Sequence, residues 1–326
     1  EGVKQVIACY ETNHYAEDEE ITMNVMGFIG KCCEDDAITT QFIELDGVAL
    51  TLRTFDSYKT SESVVFYCAE LIVKLCLYDE LHGVKHEELF ETERVAAYYE
   101  CIRTFRAHSY VMIALLHLLT LLAKNPVIAS QLIDLGAGEA IHDDFAEYQN
   151  KRKVLTPLLE LCAVLAKVDE IKQVFLDESI VELALQSLTL HRDYPDYVEA
   201  NLSFHVEMTR SPLCQAVYKN SDCYDLTIGL MVEHNEAKSV CTPALLLLLN
   251  MAAGDAHCAR FEKDDDLRVI LNTLRFFVDK ESVQAIGSQL LNTLASHVRV
   301  CARLIALEAV HVMCEAVNRY QDNETI

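Results

Sequence analysis

Between Glu20 and Cys33 the apolar residues Ile21, Val25, Phe28, Ile29 and Cys32 fall three and four positions apart, which predicts a long amphipathic helix with one buried stripe. A short helix is expected over Asp36–Leu45. Gly47 is expected to allow a sharp turn, and Val48–Tyr58 forms a medium helix with Val48, Leu52 and Phe55 inward. The same order of apolar stretches runs through Tyr110–Ala123, Val127–Leu135 and Gly138–Tyr148. The pattern recurs about every 43 residues, anchored near Val48, Val95, Gly138, Ile180, Cys223, Leu267 and Val310, with a shortened copy at Val3. A helical pattern with that period predicts an all-α solenoid spanning residues 1–326 as a single repeat domain, with function on an extended surface more than in a compact pocket.

Punctuation repeats along with the apolar pattern. Thr156-Pro157 and Thr242-Pro243 each precede an anchor by a similar interval, and each proline suits the first turn of a long helix, where its missing N–H is not needed. Pro126 and Pro212 fall just after a long helix closes. One unit is longer than its neighbours by about four residues near Tyr78–Glu88, and insertions in solenoids tend to emerge as loops on one face. The chain opens and closes inside medium helices, which predicts a solenoid truncated at both ends and a segment of a longer protein.

Composition narrows the function classes. Ten glycines and five prolines in 326 residues leave few hairpin signals, and 51% hydrophobic content is enough for a large core. A net charge of −24 opposes nucleic acid and anionic lipid, so neither is an expected partner. The acids cluster in Glu17-Asp18-Glu19-Glu20, Glu34-Asp35-Asp36 and Asp264-Asp265-Asp266, all at expected helix starts, where carboxylates meet the positive end of the helix dipole. Thirteen cysteines without a CxxC pair read as buried, reduced thiols. The apolar runs Val111–Ala123 and Ala244–Ala253 are too short to cross a bilayer, and no signal peptide opens the chain, so a cytoplasmic location is expected.

A trio of helices with a small break before the medium one resembles an armadillo repeat, a relative of the HEAT repeat. The segment Ala244-Leu245-Leu246-Leu247-Leu248-Leu249-Asn250-Met251-Ala252-Ala253-Gly254 is similar to the long-helix consensus A-L-W-A-L-S-N-I-A-x-G, and Leu291-Asn292-Thr293-Leu294-Ala295-Ser296 is a weaker match. The resemblance implies a right-handed α-solenoid of about seven armadillo-like repeats. It also implies a partner-binding groove lined by two ladders. At the consensus Trp position the chain carries Gly27, Glu70, His117, Leu159, Leu202, Leu246 and Gln289. At the consensus Asn position it carries Lys31, Lys74, Leu121, Ala163, Val206, Asn250 and Thr293. No Trp occurs, and Asn250 alone keeps the consensus Asn, so the grip on an extended basic peptide seen in nuclear-import relatives loses its mechanism. The expected groove is polar at its ends and apolar in the middle, around Leu159, Ala163, Leu202 and Val206. Such a surface suits an amphipathic helix or a folded partner with a basic patch, and it suits a tightly curved, self-packed solenoid equally well.

Nothing in the sequence converges on catalysis. There is no phosphate loop, no GxSxG elbow and no HExxH, and no cofactor or metal is expected. His82 and His86 have a ligand-like spacing beside Glu87 and Glu88, but Gly83 interrupts the helix and a solvated loop is the favoured reading. The basic cluster Lys151-Arg152-Lys153, with Arg103 and Arg106 a repeat earlier, reads first as a solvated helix start and second as a contact for an acidic tail. The expected function is a non-enzymatic scaffold or adaptor in cytoskeletal, motor or ciliary assembly. The alternatives are a regulatory domain of a larger enzyme or motor, and an import-like receptor for basic peptides.

Overall fold

The helices expected within residues 20–58 and 110–148 are present with their boundaries shifted by about one residue. A computed structural model describes residues 2–12, 15–253, 255–321 and 323. The chain divides into two compact units, Glu1–Ala137 and Gly138–Ile326. The first holds α1 (Gly2–Thr12), α2 (Glu19–Cys32), α3 (Asp36–Glu44), α4 (Gly47–Ser57), α5 (Glu62–His82), α6 (Thr92–Thr104), α7 (Ser109–Leu122) and α8 (Pro126–Asp134). The second begins with α9 (Ala137–Glu147), α10 (Arg152–Leu165), α11 (Asp169–Asp177), α12 (Ile180–Leu190), α13 (Pro195–Thr209) and α14 (Gln215–Asn220). It continues with α15 (Cys223–Glu233), α16 (Lys238–Ala252), α17 (Asp264–Phe276), α18 (Glu281–Ala295), α19 (Val298–Ala306) and α20 (Ala309–Arg319). No strand occurs among the described residues. In the first unit the long helices α2, α5 and α7 stack in order, and in the second α10, α13, α16 and α18 do the same.

Local chemistry explains where the helices start. Asp18 caps α2 by accepting from the Ile21 N–H at 3.0 Å, and Asp35 caps α3 by accepting from Ile38 at 3.1 Å. Asp264, Asp265 and Asp266 fill the first turn of α17. The sharp turn before the medium helix is built differently from expectation. The left-handed residue is Asp46 (φ 60°), one position before Gly47, and Ser179 (φ 55°), Glu308 (φ 63°) and Gly136 (φ 90°) do the same work in other repeats. Gly47 is needed for space: a Cβ there would stand 2.5 Å from the Phe42 carbonyl oxygen.

The prolines also fall elsewhere. Pro157 and Pro243 are each the sixth residue of their helix, inside α10 and α16 and beyond the first turn. Each helix starts several residues earlier than its proline suggested, so the carbonyls of Lys153 and Ser239 lose the N–H they would otherwise receive. Pro126 does open a helix, at the first position of α8. The extra residues near Tyr78–Glu88 mostly lengthen α5, which runs 21 residues and ends on Gly83 in the left-handed conformation. His86 then folds back, its backbone N–H donating to Asp79 Oδ2 at 2.9 Å.

A row of ring side chains ties neighbouring repeats together. Tyr58 donates to the Ala16 carbonyl (2.8 Å), His191 to Gln149 (2.7 Å), His234 to Arg192 (2.6 Å) and Tyr320 to Val278 (3.0 Å), each reaching 42 residues back. The last three satisfy carbonyls just beyond a medium helix, where no intrahelical donor exists. Each contributes about 1 kcal/mol. The core beneath is conventional, with Leu155, Leu159, Leu202, Leu245 and Leu248 fully enclosed.

Candidate protein-binding faces of the long helices

Helix starts set the register of the exposed faces. In the second unit α10, α13, α16 and α18 begin at Arg152, Pro195, Lys238 and Glu281, an even 43-residue step. Leu246 therefore corresponds to Ser203, Glu160 and Gln289, and Asn250 to Glu207, Val164 and Thr293. The expectation that Leu159 and Leu202 face a groove is corrected: both are 0% exposed. Val206 is buried too, and Ala163 is half-buried. In a helix one residue of slip rotates a side chain by about 100°, enough to exchange core for surface. The middle of this face is consequently polar and acidic, with Glu160 and Glu199 exposed and Ser203 and Glu207 half-buried.

Between α13 and α16 lies a cleft of about 640 Å³, reached also by Ser282 of α18. Its walls include Glu199, Ser203 and Glu207 on α13 and Ser239, Pro243 and Leu246 on α16. Pro243 and Leu246 supply an apolar floor, and Lys238 stands at one end. Glu207 is partly balanced by Arg210 at 3.2 Å. A floor of apolar side chains under carboxylate walls can hold an apolar anchor while drawing in neighbouring cations. Gln289 is exposed on α18, and Thr293 turns its hydroxyl to the Gln289 carbonyl at 2.9 Å.

In the first unit Glu70 and His117 are exposed. Lys31 is exposed and pairs with Glu34 at 3.0 Å, and the carboxylate holds its ammonium above the ordinary lysine range. Lys74 does something the sequence did not reveal. Its Nζ donates to the Gly30 carbonyl and lies 3.5 Å from Glu34, tying α5 to the end of α2. Asn250 repeats that arrangement, its Nδ2 donating to the Val206 carbonyl (3.1 Å) and Thr209 Oγ1 (3.2 Å). At both sites the ladder residue staples adjacent long helices, and its donor is already used. Asn250→Ala is accordingly expected to lower stability by about 1 kcal/mol in urea unfolding and to leave peptide binding within twofold of the parent.

Other candidate chemistry disperses on folding. His82 Nε2 lies 3.5 Å from Asp36, whereas His86 Nδ1 lies 2.7 Å from Asp79, so the two imidazoles turn to different carboxylates. Among the described residues no group of three or more His, Cys, Asp or Glu side chains is arranged to hold a metal ion. Burial pushes the Cys76 and Cys223 thiols up to about 12, and Cys68 and Cys162 higher still, which removes their thiolate forms. Arg152 pairs with Asp196 and stacks over Tyr194, with 4.3 Å between guanidinium carbon and ring centroid. The ammonium of Lys151 lies over Tyr148 at 5.2 Å. Among the described residues no helix is long and apolar enough to cross a membrane.

No protein-family model matches the sequence, and no curated protein matches it. The fold does have a counterpart among solved structures. It is similar to a chain from a structure concerned with a conserved phosphorylation switch that controls the interaction between cadherin and beta-catenin, with a TM-score of 0.52 at 13% identity. The alignment covers 94% of this chain and 62% of that one, so the chain spans less than two thirds of the length of the structure it resembles. With its repeating trio of helices and this likeness, the chain has a divergent armadillo-like, all-α solenoid fold.

Proposed function

We propose that this protein is a non-enzymatic scaffold whose α13–α16 cleft holds a segment of a protein partner. The observation that carries the reading is the cleft itself: Glu199 and Glu207 stand over an apolar floor of Pro243 and Leu246, in a fold whose solved counterpart concerns the interaction of two proteins. The partner segment carries an apolar side chain for the floor flanked by lysine or arginine for the walls. It is short and local, because the ladder residues that would hold a long extended backbone are engaged within the chain at Lys74 and Asn250. By analogy of fold we place the scaffold in the cytoplasm, in cytoskeletal, motor or ciliary assembly.

Peptide-display selection against the parent chain tests the reading. The expected outcome is enrichment of sequences with Lys or Arg beside an apolar residue, binding at least about tenfold more weakly to a Ser203→Arg, Ser239→Arg variant, a loss of about 1.4 kcal/mol. Ser239 is exposed and Ser203 half-buried beside the cleft, so unchanged helical circular dichroism of the variant is the control for folding. Selected peptides that bind the variant as well as the parent would remove the cleft from the function.

A further inference from the structure

On α15 and α17 two apolar side chains stand open at the surface, Val232 at 54% exposure and Phe276 at 55%. By the 43-residue step from His234 to Phe277, Phe276 takes the place that Glu233 holds one repeat earlier. Glu233 accepts from Arg192 at 2.8 Å, whereas Phe276 stands edge-on to Phe277 with 4.9 Å between ring centroids. The two open side chains flank a pocket of about 240 Å³, walled by Met231, Val232 and Asn235 on one side and by Val269, Asn272 and Phe276 on the other. Small-molecule pockets begin at roughly 300 Å³, so this one suits a single side chain.

Charge around the pocket is unlike that of the rest of the chain. Arg268 and Arg275 are exposed on α17, one turn before Asn272 and one turn after it. Arg275 donates to Asn272 Oδ1 (3.1 Å) and to the Leu307 carbonyl (3.5 Å), and neither guanidinium has a carboxylate partner among the described residues. With 51 acids to 27 bases such partners are plentiful, and nearby arginines have them: Arg260 has Asp225 and Arg303 has Asp264. The surrounding acids are engaged elsewhere, Glu233 with Arg192, Asp266 with the Tyr224 hydroxyl (3.1 Å) and Asp279 with Lys280 (3.0 Å), while Asp265 lies in the first turn of α17, where the helix dipole favours it. Glu236 stands next to Asn235 without a partner among the described residues, so the two sides of the pocket differ in sign.

We propose that the α15–α17 pocket is a second protein-binding site, which takes an extended acidic segment of a partner through one leucine or phenylalanine side chain. The apolar side chain enters between Val232 and Phe276. Carboxylates toward α17 pair with Arg268 and Arg275, whose planar forks match a carboxylate. The Asn272 Nδ2 and the Asn235 amide, which make no side-chain hydrogen bond among the described residues, are placed to bond the segment's backbone. Charge complementarity selects this occupant, since a basic segment would meet two unpaired guanidinium groups. The site shares no residue with the α13–α16 cleft and takes the opposite charge, so filling one leaves the other open.

Selection from a random peptide-display library, followed by fluorescence anisotropy of the selected peptides, is the test. A pool rich in Asp and Glu around a single Leu or Phe is expected, and its members should bind an Arg268→Gln, Arg275→Gln variant at least about tenfold more weakly than the parent. Phe276→Ser should weaken them too, as should Ser in place of the peptide's own Leu or Phe. All three substituted side chains are exposed, and unchanged helical circular dichroism checks the fold of each variant. Any basic peptide selected for the α13–α16 cleft should bind these variants as it binds the parent. Failure of acidic sequences to enrich overturns the proposal, as does equal binding to the parent and the arginine variant. A peptide that binds as tightly without its apolar residue also overturns it, by showing a contact of charge alone. Concentration-dependent dimerisation in sedimentation equilibrium that Phe276→Ser abolishes would overturn it in favour of a second copy of the chain.

Discussion

Leu159→Glu combined with Leu202→Glu is expected to unfold the second unit, although the armadillo resemblance alone would place both positions on a binding groove. Each leucine is 0% exposed, on α10 and α13 respectively, which pack against each other. A carboxylate at such a site either stays charged without a partner or takes up a proton and still loses the leucine's contacts, and either costs several kcal/mol. The milder Leu159→Ala is expected to cost about 3 kcal/mol from lost transfer energy and residual cavity. The control is one residue away: Glu160→Gln and Ser203→Ala, on the exposed face, should change stability by less than about 0.5 kcal/mol. Urea unfolding followed by circular dichroism separates the two outcomes. Equal midpoints for Leu159→Ala and Glu160→Gln would place the 43-residue register of the long helices in error.

Acid sensitivity of the second unit is expected from a single imidazole. His205 on α13 is 0% exposed, its Nδ1 lies 2.7 Å from the Tyr218 hydroxyl of α14, and its Nε2 finds no partner. Burial lowers its pKa to about 3, against about 6.5 for an exposed histidine. The unfolded chain therefore takes a proton near pH 6.5 that the folded chain refuses until about pH 3. His205 leaves stability intact above that upper value, and stability falls as the pH drops through the window, by at most about 1.4 kcal/mol per pH unit. Removing both partners together, as His205→Leu with Tyr218→Phe, avoids stranding the hydroxyl. The parent's urea midpoint should fall more steeply than the variant's as the pH drops from 6.5 toward about 3, the two pKa limits. Parallel pH profiles would show that the imidazole is not enclosed.

The orphaned atoms on α13 also show what a sequence hides. Tyr197, Asn201, His205 and Thr209 recur every fourth residue and make one buried polar seam. Tyr197 donates to Ser187 at 2.5 Å, Asn201 to the Ala184 carbonyl at 2.9 Å, and Thr209 to the His205 carbonyl at 2.8 Å. Read along the chain these residues look like a solvated face. Their partners lie on α12 for Tyr197 and Asn201, on α14 for His205, and on α13 itself and α16 for Thr209, and that pairing cannot be read from spacing alone.

The period of about 43 residues, the all-helical content and the long, short and medium order of helices were legible in the sequence alone. Each rests on interactions within a few residues, namely apolar spacing of three and four, acidic caps such as Asp18 and Asp35, and the scarcity of glycine and proline. The rings at Tyr148, His191, His234, Phe277 and Tyr320 keep the same 43-residue step along the sequence, and His191, His234 and Tyr320 tie repeats together. Tertiary structure decided the rest. In leucine-dense stretches such as Leu158-Leu159 and Leu245-Leu246-Leu247-Leu248-Leu249 almost every position is apolar, so the sequence holds no contrast to say which side faces outward. Packing of α13 between α10 and α16 resolved it, burying Leu159 and Leu202 and leaving Glu160 and Ser203 toward the surface. The same packing turned Lys74 and Asn250 from candidate ligand contacts into staples, because the carbonyls that accept from them belong to helices about 44 residues away in the chain. Local periodicity sets which segments become helices, but the rotation of each helix about its axis is settled only when its neighbours compete for the same buried volume.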